Sequence, residues 1–153
     1  MDSLEQNLTQ VRIQCQNNGV KLTPLREQVL RIMLQNTQPQ SAYEILQSYQ
    51  NEYNPKAQPM TIYRALNFLE QIDAVHRLSS TRQYIVCDHL GHGHSHHGFT
   101  QFLICDECGQ LQEIEMEESI WQKLLNEAAA YQFTPNSTAI EIHGLCRQCA
   151  SSI

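Results

Sequence analysis

Pro59-Met60-Thr61-Ile62-Tyr63-Arg64-Ala65-Leu66-Asn67-Phe68-Leu69-Glu70-Gln71 decides how the first half of this 153-residue chain folds. Ile62, Ala65, Leu66 and Leu69 recur at i, i+3, i+4 and i+7, which predicts a helix over Met60 to Glu70 with one buried stripe. The opposite face carries Met60, Arg64, Asn67 and Gln71, with Thr61 and Tyr63 on its flanks near the N-terminal end. These side chains can read base edges in DNA. Arg can contact guanine through two bonds, Asn and Gln can do so with adenine, and Met, Thr or Tyr can touch a thymine methyl. The N-terminal end of a recognition helix is also the part that enters the major groove.

Two helix-start signals precede this segment. Thr23-Pro24 places a capping hydroxyl before a proline at the first helical position, and Leu25, Val29, Ile32 and Met33 follow at helical spacing. Ser41-Ala42-Tyr43-Glu44 is a capping box that opens a helix containing Ile45, Leu46 and Tyr49. Leu4 to Asn18 forms a further amphipathic segment, with Leu4, Leu8, Val11 and the lone Cys15 on one face and Gly19 beyond its end. After the decisive helix, Ala74–Leu78 and Tyr84–Cys87 are short alternating runs separated by the polar stretch Ser79–Gln83, which predicts a hairpin. Three helices followed by a hairpin describe a winged helix-turn-helix.

The second half has a different chemistry. Cys105, Cys108, Cys146 and Cys149 form two Cys-x-x-Cys pairs, each at the end of a short apolar run. Four thiolates in this spacing predict a closed structural zinc site rather than disulfides or a redox dithiol. Between the pairs come a strand from Leu111 to Glu115, an acid-led helix from Glu117 to about Gln132 with the stripe Ile120, Leu124, Ala128 and Tyr131, and a strand from Ala139 to Leu145. So few elements bury little surface, so a homodimer is expected to complete the sheet or its apolar face. Residues 1–83 carry eight Lys/Arg against seven acids, and residues 84–153 carry two against nine. That asymmetry lets the first half approach phosphates.

Two potential ligands lie outside the four-cysteine set. A wing turn centred between Thr81 and Arg82 would place His76 directly opposite Cys87, close enough to share one metal. A Gly/His stretch then follows, containing His89, His92, His94, His96 and His97, and its composition suits a metal-capturing linker. The fold class is therefore α+β: an N-terminal winged helix-turn-helix, residues 1–83; the hairpin end and His-rich hinge, 84–98; and a small α/β dimerisation and metal-binding domain, 99–153. The polar, acidic start and the absence of any long apolar run predict a cytoplasmic protein with no membrane partner.

Over nearly its full length the chain resembles the ferric uptake regulator family. The resemblance rests on Leu22-Thr23-Pro24-Leu25-Arg26, Thr61-Ile62-Tyr63-Arg64-Ala65-Leu66, Cys105-Asp106-Glu107-Cys108-Gly109 and Cys146-Arg147-Gln148-Cys149. Val75-His76-Arg77, Tyr84-Ile85-Val86-Cys87 and Ile142-His143-Gly144-Leu145-Cys146 are similar to its zinc-sensing branch. That resemblance implies a regulatory zinc on His76, Cys87, Glu113 and a linker histidine, His97 with His96 as the alternative. It thus implies two zinc ions per protomer, with extra weak binding by the linker left open. It further implies a homodimer that binds AT-rich palindromic operator DNA and represses zinc-uptake genes. A thiolate at position 87 favours zinc over iron or manganese.

Three other readings compete: the same family sensing iron, manganese or peroxide; a zinc buffer or chaperone without DNA; and a zinc hydrolase. Neither a His-Glu-x-x-His segment nor a His-x-Glu deaminase signature is present, so the expectation is no enzyme and no small-molecule substrate.

Overall fold

The computed structural model describes residues 3–88, 90, 99–136 and 139–152. The chain divides into two compact units, Met1–His94 and Ser95–Ile153.

Four helices and a hairpin make the first unit: α1 (Ser3–Asn17), α2 (Pro24–Leu34), α3 (Ala42–Glu52), α4 (Pro59–Gln71), β1 (Val75–Arg77) and β2 (Tyr84–Val86). The local signals act as the sequence predicts. Thr23 Oγ1 accepts from the Arg26 amide at 3.4 Å, and Pro24 opens α2. At α3 the Ser41 and Glu44 side chains each accept from the other's backbone N–H, at 3.1 and 2.8 Å. Ile62, Ala65, Leu66 and Leu69 of α4 are all buried, in one core with Leu8, Val11 and Cys15 of α1 and Val29, Leu30, Ile32 and Met33 of α2. Burying a Leu or Ile side chain contributes about 1.5–3 kcal/mol, so this stripe fixes the rotation of α4 and thereby its outward face.

α4 ends in a motif that also positions the hairpin. Asp73, at φ 58°, turns the chain; its amide donates to Glu70 O at 3.0 Å and that of Ala74 to Leu69 O at 2.9 Å. The Cys87 amide then donates to Ala74 O at 3.0 Å. Gln40 exchanges two backbone bonds with Tyr84, so the loop before α3 bridges the outer side of β2.

The hairpin register differs from the sequence expectation. His76 lies opposite Ile85, not Cys87, with Val75 opposite Val86 and Arg77 opposite Tyr84. Leu78 accepts from the Arg82 amide and donates to Gln83, which centres the turn one position earlier. Cys87 therefore faces Ala74 across the pair. Because the slip leaves facing parity unchanged, His76 and Cys87 remain on one face of the ribbon as diagonal neighbours.

In the second unit, β3 (Phe99–Cys105) is the central strand of a sheet ordered β4-β3-β5. β4 (Leu111–Met116) runs antiparallel to it, and β5 (Ala139–Gly144) runs parallel after the crossover helix α5 (Glu118–Ala130); the short α6 (Arg147–Ala150) follows. α5 is buried at Trp121, whose ring stacks on Phe99 with centroids 4.1 Å apart. The expected stripe does not face this core: Ile120 and Leu124 are exposed and Tyr131 is 86% exposed. The Trp121 side of the helix packs on Phe99 of β3, and its Ile120 side is left outward.

Candidate metal centres and nucleic-acid interface

Two arms of the chain carry the four-cysteine cluster. β3 ends on Cys105, and Gly109, at φ 74°, permits the tight return through Cys108; the Gly109 amide closes the knuckle onto Cys105 O at 2.9 Å. β5 lies beside β3 with Gly144 opposite Cys105, so two residues further on it delivers Cys146, and α6 delivers Cys149. The four Sγ atoms lie within 4.8 Å of one another, and Cys108 Sγ is 3.8 Å from Cys146 Sγ. A tetrahedral zinc with bonds of about 2.3 Å requires sulfur–sulfur edges of about 3.8 Å. The donor set and its spacing fit zinc.

The electrostatics suit the same ion. Backbone amides of Cys108 and Cys146 pull the Cys105 thiol down to about 6, and the Cys146 amide lies 3.3 Å from its sulfur. The hydrogen bond with Cys146 and desolvation push Cys149 up to about 12. For Cys108 the Gln110 amide pulls downward, but the hydrogen bond with Cys105 and desolvation prevail, and it ends above its ordinary value. Without a cation the cluster supports a thiolate amid thiols. A divalent ion at its centre favours loss of the remaining protons.

A side-chain brace joins the two arms, with His143 in a supporting rather than a ligating place and Asp106 as its partner. His143 Nδ1 is 2.8 Å from Asp106 Oδ1, inside the first Cys-x-x-Cys, and its Nε2 is 3.5 Å from Glu141 Oε2. The bond to Asp106, and then the one to Glu141, raise the His143 pKa. Asp106 held a detectable signal only through its place between two ligands.

The other expected ligands fall in both units. In the first, His76 and Cys87 bring a ring nitrogen and Sγ within 4.8 Å of each other, and Cys87 is buried. In the second, Glu113 is half-buried on β4, opposite Phe102. His89, His92, His94, His96 and His97 lie outside the described residues.

On α4 the outward face presents Met60, Tyr63, Arg64, Asn67 and Gln71 to solvent, with Thr61 half-buried at its flank. Beside it, the Arg26 guanidinium stacks 3.8 Å over the Phe68 ring and donates to Lys21 O at 2.7 Å. The hairpin adds exposed Arg77, at the end of β1, and exposed Arg82, in the turn between the strands.

Residues 17–143 match the model of the ferric uptake regulator family. The chain belongs to that family. The zinc uptake regulation protein of Escherichia coli (strain K12) is 38% identical over 142 residues, covering 93% of this chain and 80% of that protein. The ferric uptake regulation protein of Bacillus subtilis (strain 168) is 26% identical over 148 residues, covering 95% and 96%. Among solved structures, a zinc uptake regulator complexed with zinc and DNA is 35% identical, with a TM-score of 0.86 over 99% of this chain and 98% of that one. The α+β winged-helix architecture expected from the sequence is that of this family. No helix among the described residues is long and apolar enough to cross a membrane.

Proposed function

We propose that this family member is a zinc-responsive transcriptional repressor, acting in the cytoplasm as a zinc-loaded homodimer on AT-rich palindromic operators of zinc-uptake genes. The observation that carries the reading is the two-sided helix α4: one side is locked by Ile62, Ala65, Leu66 and Leu69, and the other offers Met60, Tyr63, Arg64 and Asn67 outward. A helix whose rotation is fixed by its core presents these groups to a groove with its backbone already ordered. The similarity to a regulator solved with zinc and DNA supports the same reading.

Each protomer would hold two zinc ions. One sits on Cys105, Cys108, Cys146 and Cys149 and keeps the second unit folded. The other, regulatory ion takes His76, Cys87, Glu113 and His97, or His96 in its place, and the remaining linker histidines add weak capture. The soft Cys87 sulfur favours zinc over iron and manganese here. This ligand set draws donors from both units, so loading narrows the arrangements open to the reading heads, and zinc shifts the population by its differential affinity. A swing from 1:99 to 99:1 takes about 5.5 kcal/mol, within the range of a thiolate-containing multidentate site. The second copy would cover Ile120, Leu124, Phe133, Ile142 and Leu145, an exposed apolar set in the second unit.

The test is an operator-binding titration against buffered free zinc, iron and manganese. Affinity should rise steeply with zinc at lower free concentration than with either competitor. Equal affinity with and without metal would refute regulation, and restoration by iron or manganese first would move the protein to another branch of the family.

A further inference from the structure

We infer that His143 is a positioning residue for the four-cysteine centre: through Asp106 it holds the two Cys-x-x-Cys arms together and slows loss of the metal. The inference rests on the four-thiolate zinc reading and adds a residue that binds no metal itself.

The geometry begins with strand register. β5 runs parallel to β3 with His143 opposite Ile104 and Gly144 opposite Cys105. Beyond that pair both strands leave the sheet, β3 into the Cys105–Cys108 knuckle and β5 into Cys146 and α6. The arms therefore diverge from the ladder where the sulfurs must meet. Besides the contacts among the four sulfurs, three bonds among the described residues hold them there. The Asp106 amide donates to Gly144 O at 2.9 Å, the Cys146 amide lies 3.3 Å from Cys105 Sγ, and His143 Nδ1 is 2.8 Å from Asp106 Oδ1. Of these, only the last joins two side chains, so it alone can be deleted by substitution without altering the main chain or a ligand.

An ionised carboxylate only accepts, so Nδ1 carries the proton and donates. Glu141 Oε2, 3.5 Å from Nε2, flanks the ring on its other side and favours one orientation. Glu141 and His143 are two apart on one strand, hence on the same face, while Asp106 comes from the other arm. The ring is thus set between a carboxylate of its own strand and a carboxylate of the knuckle. Groups that orient ligands without binding the metal typically change metal affinity by about 10- to 100-fold when removed.

The experiment measures zinc release from the full-length protein to excess chelator, read with a colorimetric zinc indicator. All proteins carry Cys87→Ser, so that the four-cysteine ion is the slow component. His143→Ala should release zinc at least about tenfold faster. His143→Asn, whose amide nitrogen replaces Nδ1 as the donor, should stay within about threefold of the parent. Asp106→Ala should match His143→Ala, and the double variant should be no faster than either, because the two act as one pair. Circular dichroism of each zinc-loaded protein separates release from unfolding, and the Asn variant supplies the comparison if the Ala variant does not fold. Release from His143→Ala within twofold of the parent, or His143→Asn as fast as His143→Ala, would overturn the inference alone. A parent that loses all its zinc at once overturns the four-thiolate reading and the inference with it.

Discussion

Replacing Arg64 by Ala isolates what α4 contributes to DNA from what it contributes to the fold. Arg64 is exposed and has no carboxylate partner among the described residues, and Arg and Ala are both strong helix formers. The substitution therefore leaves the buried side of α4 untouched, and stability should change by no more than about 0.5 kcal/mol. On DNA, a bidentate Arg–guanine contact is worth about 1–3 kcal/mol. A symmetric dimer loses it twice, so the loss is about 2–6 kcal/mol, or roughly 30-fold to above 10,000-fold in Kd. The assay is fluorescence anisotropy at saturating zinc, on a duplex selected from a random pool by the wild-type protein, with calorimetric unfolding in parallel. A Kd within threefold of wild type would refute the assignment of α4 as the reading element. Discrimination between selected and mutated duplexes should collapse as well. Equal weakening on both would instead place Arg64 on phosphate, with a salt slope reduced by about one per protomer.

Four further outcomes follow from other parts of the molecule. Leu66→Ala, at a fully buried position of the same helix, should cost about 2–5 kcal/mol and abolish the first unit's unfolding transition near its normal temperature, as seen by calorimetry. Ser41→Ala should destabilise that unit by about 1 kcal/mol through the lost cap, and denaturant midpoints check it. Asp73→Gly should instead raise that unit's stability by about 0.5–1 kcal/mol, seen as a higher denaturant midpoint, because glycine relieves the left-handed backbone there. Zinc loading at pH 7 should expel at least two protons, since Cys149, up at about 12, and Cys108, above its ordinary value, still hold theirs. Cys105, down at about 6, has largely lost its own, so affinity should fall with falling pH and more steeply below about 6. Titration calorimetry in buffers of different ionisation enthalpy counts those protons, and a count near zero would contradict the hydrogen-bonded thiol cluster.

What could be read from the sequence was local or spaced by a fixed period. Thr23, the Ser41/Glu44 box and the α4 stripe announce themselves because capping and burial act within a turn or two. The four cysteines announce themselves because zinc imposes its own geometry on whatever chain supplies the sulfurs. The hairpin register was not legible. Its turn uses Arg82 at φ 58°, a left-handed position with no glycine to mark it, and a symmetric count of residues misplaces the centre. Nor was the buried side of α5: Ile120, Leu124 and Tyr131 have helical spacing, but periodicity cannot tell a face covered by the chain's own sheet from one left for another surface. The brace between Asp106 and His143 depends on parallel pairing of strands far apart in sequence, which no local pattern encodes.

Among the described residues, the core of the first unit draws on Leu8 through Leu90. The four-cysteine cluster, by contrast, is complete only when Cys149 is in place. A chain leaving the ribosome from its N-terminus can therefore finish its helical head before the second Cys-x-x-Cys pair has been translated, and the four-sulfur cluster closes on a protein already half built. Synthesis under zinc scarcity should then yield molecules with an intact head and an unfinished tail.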